Sequence, residues 1–275
     1  GPSIVLCPPY IFDEALTDLT IEVDDILAGV RQAKSSDRLR RFLRIVLQIG
    51  NQLNQGSAKA GAAGFRVSAL IKLTQTKSNS GATVLEYFIS HAHGIHGDLL
   101  DLPEDFRFAE ALSRKSLETV SADVKRLGND LKLVTRAVEW GVESGDVSYR
   151  AALGDFVSRA RSLYETTREK QEAAEREFGE LCTYFAEDPT ATKLDKLFGS
   201  LHTFMAAFEQ TKQRVKSEIA RKAAAKRREA DRTSRRAAKK GHHSNSAARK
   251  VASTPQSSQR RVRAAPTPGP ATTEA

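Results

Sequence analysis

The chain carries one tryptophan, one methionine and two cysteines in 275 residues, and each scarcity removes a class of protein. Cys7 and Cys182 cannot build a disulfide framework and lack the paired spacing of a zinc module, so the thiols suit a reducing compartment. No apolar run approaches the ~18 residues of a membrane span, and no basic segment followed by an apolar stretch opens the chain. Strand-like alternation between turn signals is missing too, which argues against a sheet-based fold. These absences predict a soluble, cytoplasmic, all-α protein. The opening Gly1-Pro2-Ser3 has the look of a cleavage scar, so residues 1–9 read as a leader and the chain as a piece of a longer protein.

What is present is charge, unevenly placed. Lys and Arg number 43 against 34 Asp and Glu, a net charge of +9. From Thr211 onward there are 18 basic and 4 acidic residues, which leaves 25 basic and 30 acidic residues in the preceding body. An acidic body therefore carries a basic tail.

Helical periodicity runs through that body. Leu16, Leu19, Val23, Ile26 and Val30 recur at three- and four-residue spacings and predict a helix from near Asp13, which Ser35-Ser36-Asp37 breaks and recaps. Leu39, Phe42, Val46, Ile49 and Leu53 mark a second helix, ending at the small-residue loop from Gly56 to Gly64. Phe65 to Leu73 and Thr83 to His93 read as short helices, the latter stopped by Gly94. The apolar positions from Phe108 to Val138 predict one stripe terminated by Gly141 and Gly145.

Tyr149 to Phe185 reads as a long helix whose charged middle, Thr166 to Glu177, is expected to project into water. After Pro189, the apolar positions from Leu194 to Ile219 are expected to run back along it, making an elongated antiparallel hairpin. From Lys222 the apolar face gives way to Arg, Lys and Ala. Helix is expected to about residue 240, and disorder over 241–275, because nothing there can build a core.

The compositionally odd stretch is Gly50-Asn51-Gln52-Leu53-Asn54-Gln55-Gly56. Two Asn near a helix end cost propensity because their amides compete for the backbone, so something should offset them. Amides beside a glycine loop suit the binding of an extended backbone, with the glycines allowing close approach. A plain Asn/Gly helix cap followed by a loop explains the same residues.

The run Leu47-x-x-Gly50-Asn51-x-x-Asn54-x-Gly56, then Gly64-Phe65-x-Val67-x-x-Leu70-x-x-Leu73-x-x-Thr76-Lys77-Ser78, then Thr83-x-Leu85-x-Tyr87-Phe88, resembles the signature of the formin homology 2 domain. The later Leu197-Phe198-x-x-Leu201-x-x-Phe204-x-x-x-Phe208 is similar to that family's last helix before a basic tail. The resemblance covers roughly 10–230 and implies a partial domain, post-like over 10–140 and coiled-coil-like over 146–225, followed by a basic, mostly disordered tail over 231–275. It implies an actin nucleator and elongator that works at the barbed end as a head-to-tail homodimer on the actin cytoskeleton. By the same resemblance Gly50, Asn51, Asn54, Gly56, Gly64 and Phe65 belong to the groove that receives the partner's lasso, and Lys77 contacts actin. The lasso and knob of such a domain are expected to lie outside this chain.

Other chemistries fit poorly. Gly56 to Gly61 is followed by Ala62-Ala63 and not by the Lys-Ser/Thr of a phosphate loop. His91, His93 and His96 would point roughly 200° and 140° apart on a helix and share no face, so no metal site is expected. The acidic pairs Asp24-Asp25 and Glu104-Asp105 are expected at helix starts or on the surface, where the helix dipole accounts for them. With no nucleophile elbow or cofactor fingerprint, neither enzyme nor cofactor is expected. The competing functional class is a helical adaptor that binds nucleic acid or an anionic membrane through Lys222, Lys226, Arg227, Arg228, Arg235, Arg236, Lys239 and Lys240.

Overall fold

A computed structural model describes residues 9–56, 61–62, 64, 66–77, 81–143 and 147–251 of the chain, with side chains to residue 235 apart from those of 9, 53, 93, 95, 140–143 and 147–152. Those residues are almost entirely helical, and the only strand-like feature among them is an isolated antiparallel bridge between Lys77 and Thr83. The all-α expectation holds.

Helix α1 (Pro9–Ser35) buries Leu16, Leu19, Val23, Ile26 and Val30, the face its spacing foretold. Ser36 then caps α2 (Asp37–Leu53), its hydroxyl accepting the Leu39 N–H at 3.1 Å. The segment expected as a short helix over 65–73 is a 3-10 helix, Val67–Thr74, and α3 follows as Val84–Ile95. Thr83 and Glu86 close a capping box at the start of α3, and the helix runs one residue past Gly94 before His96 caps it.

The predicted single stripe over 108–138 is broken. A second 3-10 helix, Gly97–Phe106, leads into the one-turn α4 (Ala109–Leu112), and a turn at Ser113 precedes α5 (Leu117–Glu143). The five-residue step from Leu112 to Leu117 marks the break, because a helix face repeats every three or four residues. Helix α5 also passes through Gly141, so that glycine is not its terminus. Gly145 lies outside the described residues.

An elongated antiparallel hairpin is present in α5 and α6 (Val147–Tyr184), where Tyr164 of α6 lies over Gly128 of α5. Helix α6 packs against both α5 and α1. The pairs Thr20–Thr167, Asp24–Lys170, Arg31–Glu177 and Lys34–Glu180 keep a constant offset of 146 or 147 residues, so α1 and α6 run parallel. The middle of α6, expected to stand in water, is the seam of this contact. Thr167 is 0% exposed and bonds Thr20 at 2.7 Å, with Gln171 and Ala174 buried beside it. Asp24 and Asp25 lie within α1 and not at its start, on the half-exposed surface that was the other expectation, and pair with Lys170 and Lys115. Such half-exposed ion pairs are worth about 0.2–1 kcal/mol each, so they select register more than they supply stability.

Helix α7 (Leu194–Val251) begins after a turn in which Asp188 accepts the Thr190 N–H. Its first turns lie against α2 and α3 through phenylalanines. Phe204 and Phe208 meet Phe42 at ring distances of 5.6 and 5.8 Å, and Phe88 meets Phe42 edge-on at 5.0 Å. Each well-placed aromatic pair adds about 0.5–1.5 kcal/mol beyond the area it buries. The chain divides into a compact unit to Ser217 and a second from Glu218. In the second, every side chain described from Glu218 to Arg235 is exposed. Residues 252–275, within the stretch expected to be disordered, lie outside the described residues.

Candidate functional site

The Gly-Asn-x-x-Asn segment occupies the last turn of α2. The Asn54 N–H caps the helix by donating to the Gly50 carbonyl at 3.0 Å, and Gly56 takes a φ of +84°, a left-handed conformation that glycine adopts without strain. Asn51 is engaged in a specific way. Its Nδ2 donates to the Ala62 carbonyl and its Oδ1 accepts the Ala62 N–H, both at 2.9 Å. The sequence suggested that these amides bind an extended backbone; at Asn51 that backbone is the chain's own loop, folded back from Gly56.

This clasp walls a groove of about 410 Å³ between the end of α2 and the 3-10 helix Val67–Thr74. Gly50, Asn51 and Asn54 line one side, and Ala62, Gly64 and Leu73 the other. A Cβ added at Gly50 or Gly64 would meet nothing within 4 Å. Gly50 within a helix costs about 1 kcal/mol against Ala, and among the described residues no crowding calls for it. The groove thus brings together Gly50, Asn51, Asn54 and Gly64, whereas Gly56 is not among its lining residues. Phe65 lies outside the described residues.

Lys77 follows the 3-10 helix and is exposed. Its backbone pairs with Thr83, and the Val84 N–H donates to the Thr76 carbonyl at 3.1 Å, which pins the turn to the start of α3. Glu86 was not singled out from the sequence, although Thr83-x-x-Glu86 is a capping-box pattern. Its Oε2 accepts the Thr83 N–H at 2.5 Å while its Oε1 pairs with Arg214 of α7 at 2.6 Å. The Thr83 N–H bond holds the Glu86 carboxyl below its usual range; burial opposes this, and the charges of Arg214 and Lys77 assist it. Nothing local in the sequence marks Arg214.

The remaining candidates are dispersed. Lys222, Lys226, Arg227, Arg228 and Arg235 are exposed on α7, which also carries Arg236, Lys239 and Lys240, whose side chains lie outside the description. His91 stacks on Tyr87 with ring centroids 4.0 Å apart, and His96 caps α3. The side chain of His93 is not among those described. Among the described residues no group of His, Cys, Asp or Glu is arranged to hold a metal, and no helix is long and apolar enough to cross a membrane.

The described body is all-helical, with an open groove beside a clasped loop. The sequence profile of the Formin Homology 2 Domain matches residues 10–209, and the chain belongs to that family. It is 27% identical to Formin-like protein 20 of Arabidopsis thaliana over 79% of this chain and 14% of that protein. It is also 27% identical to Disheveled-associated activator of morphogenesis 2 of Homo sapiens, over 79% of this chain and 21% of the relative. Formin-like protein 18 of Arabidopsis thaliana is 28% identical over 80% of this chain and 20% of its own length. The chain therefore spans about a seventh to a fifth of the length of these relatives.

Proposed function

We propose that the chain is the post and coiled-coil portion of a formin that assembles actin at the filament barbed end as a head-to-tail dimer. Membership of the formin homology 2 family carries this reading. The open groove beside Asn51 and Asn54 supports a role in receiving the partner's lasso, because Gly50 and Gly64 leave room for another backbone to approach closely. Lys77 offers its ammonium to an acidic partner from a pinned turn, where solvent exposure keeps the charge cheap. A flexibly tethered ring can hold one half on the end while the other steps, so processive elongation follows from effective concentration and needs no nucleotide chemistry from the formin. The protein acts as a cytoplasmic binding machine, without catalytic residues or cofactor. The exposed basic stretch of α7 serves as an electrostatic accessory that raises affinity for the acidic filament or another polyanion.

The test is barbed-end association by the full-length dimer carrying Lys77→Asp. End association should weaken while helicity and dimerisation stay intact. Unchanged elongation kinetics would refute the role of Lys77.

A further inference from the structure

Glu86 uses both carboxylate oxygens at once, and of the two donors it serves one is local and the other 128 residues away in sequence. One is the Thr83 N–H, at the residue whose backbone pairs with Lys77; the other is the Arg214 guanidinium on α7. A second capping bond, from the Glu86 N–H to Thr83 Oγ1 at 3.1 Å, fixes Thr83 from the other side. Thr83 is buried, whereas Lys77 is exposed, so the rigid half of the bridge lies on the α3 side.

We infer that Glu86, oriented by Arg214, is a positioning residue that sets the direction in which the Lys77 turn presents its ammonium. The inference rests on the reading of Lys77 as a partner contact, but its geometric part stands alone. Arg214 follows the last family-matched residue, 209, so it adds to the matched domain a tie from α7 back to the start of α3. The chemistry requires a carboxylate. A Gln at this position has one carbonyl oxygen and an NH2 that would face a second donor, so it can satisfy the Thr83 N–H or Arg214 but not both. Arg214 itself is half exposed, and removing it leaves the capping box in place, so the body should fold without it.

Two readouts test this. The first is amide hydrogen exchange of Thr83 and Val84 in the chain as it stands. Arg214→Ala should speed exchange of the Thr83 amide about fivefold, in keeping with one exposed ion pair, and Glu86→Gln about tenfold. Arg214→Lys should restore most of the protection. The second is barbed-end association by the full-length dimer with Lys77→Asp and Arg214→Ala, singly and together. If Arg214 acts through the Lys77 turn, adding Arg214→Ala to Lys77→Asp should cause no further loss.

Unchanged Thr83 exchange in both Arg214→Ala and Glu86→Gln would overturn the inference. So would fully additive losses at the filament end. Accelerated exchange alongside a silent Lys77→Asp would instead uphold the positioning role and discard Lys77 as the actin contact.

Discussion

Replacing Asn51 with Asp isolates the loop clasp in a single atom. The native amide donates from Nδ2 to the Ala62 carbonyl and accepts the Ala62 N–H at Oδ1, each at 2.9 Å. Asp keeps the acceptor but sets a second oxygen, charged at neutral pH, against the Ala62 carbonyl. Losing one solvent-accessible hydrogen bond costs about 0.5–1.5 kcal/mol, and the oxygen–oxygen repulsion adds to it. Asn51→Ala loses both bonds without repulsion. Each variant should therefore raise local opening by about tenfold, near 1.4 kcal/mol, with Asp at least as severe as Ala. The assay is hydrogen exchange at the Ala62 amide, with global stability followed by denaturant titration. Exchange should accelerate while the denaturation midpoint moves little, because the clasp lies on the surface, away from the phenylalanine cluster. Native protection of Ala62 in Asn51→Asp would refute the idea that this amide holds the groove wall.

Further outcomes follow from the core and the titrating groups. Phe204 is 0% exposed between Phe42 and Phe208, so Phe204→Ala should cost about 3–5 kcal/mol by denaturant titration. Cys182 is fully buried, and burial with nearby Glu187 and Asp188 pushes its thiol up to about 11, so it should resist alkylation at pH 8 in the native chain and react on unfolding. Glu86 has a folded-state pKa depressed below its ordinary 4.5, so its stabilising contribution is present above that pH and is lost as pH falls through the folded value. Thr83 amide protection, corrected for intrinsic exchange, should drop over that range, and protection unchanged down to pH 2 would contradict the assignment.

The sequence made the first two helices legible because local signals agreed. Leu16 to Val30 keep a strict face, Ser36 is a good cap, and Asp37 favours the first turn of α2. The cost of two Asn at a helix end likewise pointed to a backbone partner for their amides, which Asn51 finds in Ala62. What could not be read were partners distant in sequence. The middle of α6 looked solvated because Thr167, Gln171 and Ala174 are small or polar, yet such side chains let α1 approach closely and bond across the seam. The apolar stripe of α7 announced a burial surface, expected to lie along the preceding helix, but not that Phe42 and Phe88 would cover part of it. Asn51 posed the same problem on a small scale. Its amide pattern implied a backbone partner, and only the fold identified that partner as Ala62.

In the formin reading the body, and not the basic stretch of α7, carries end-specific activity. Single-filament microscopy of the full-length protein lacking residues 222–275, at moderate salt, measures this directly. Residence at growing barbed ends should persist, with only a salt-sensitive loss of filament affinity, since screening acts on the exposed basic cluster that was removed. Complete loss of end activity, together with tight binding of the isolated 222–275 segment to RNA or anionic vesicles, would contradict the formin reading and favour an adaptor that works through its tail.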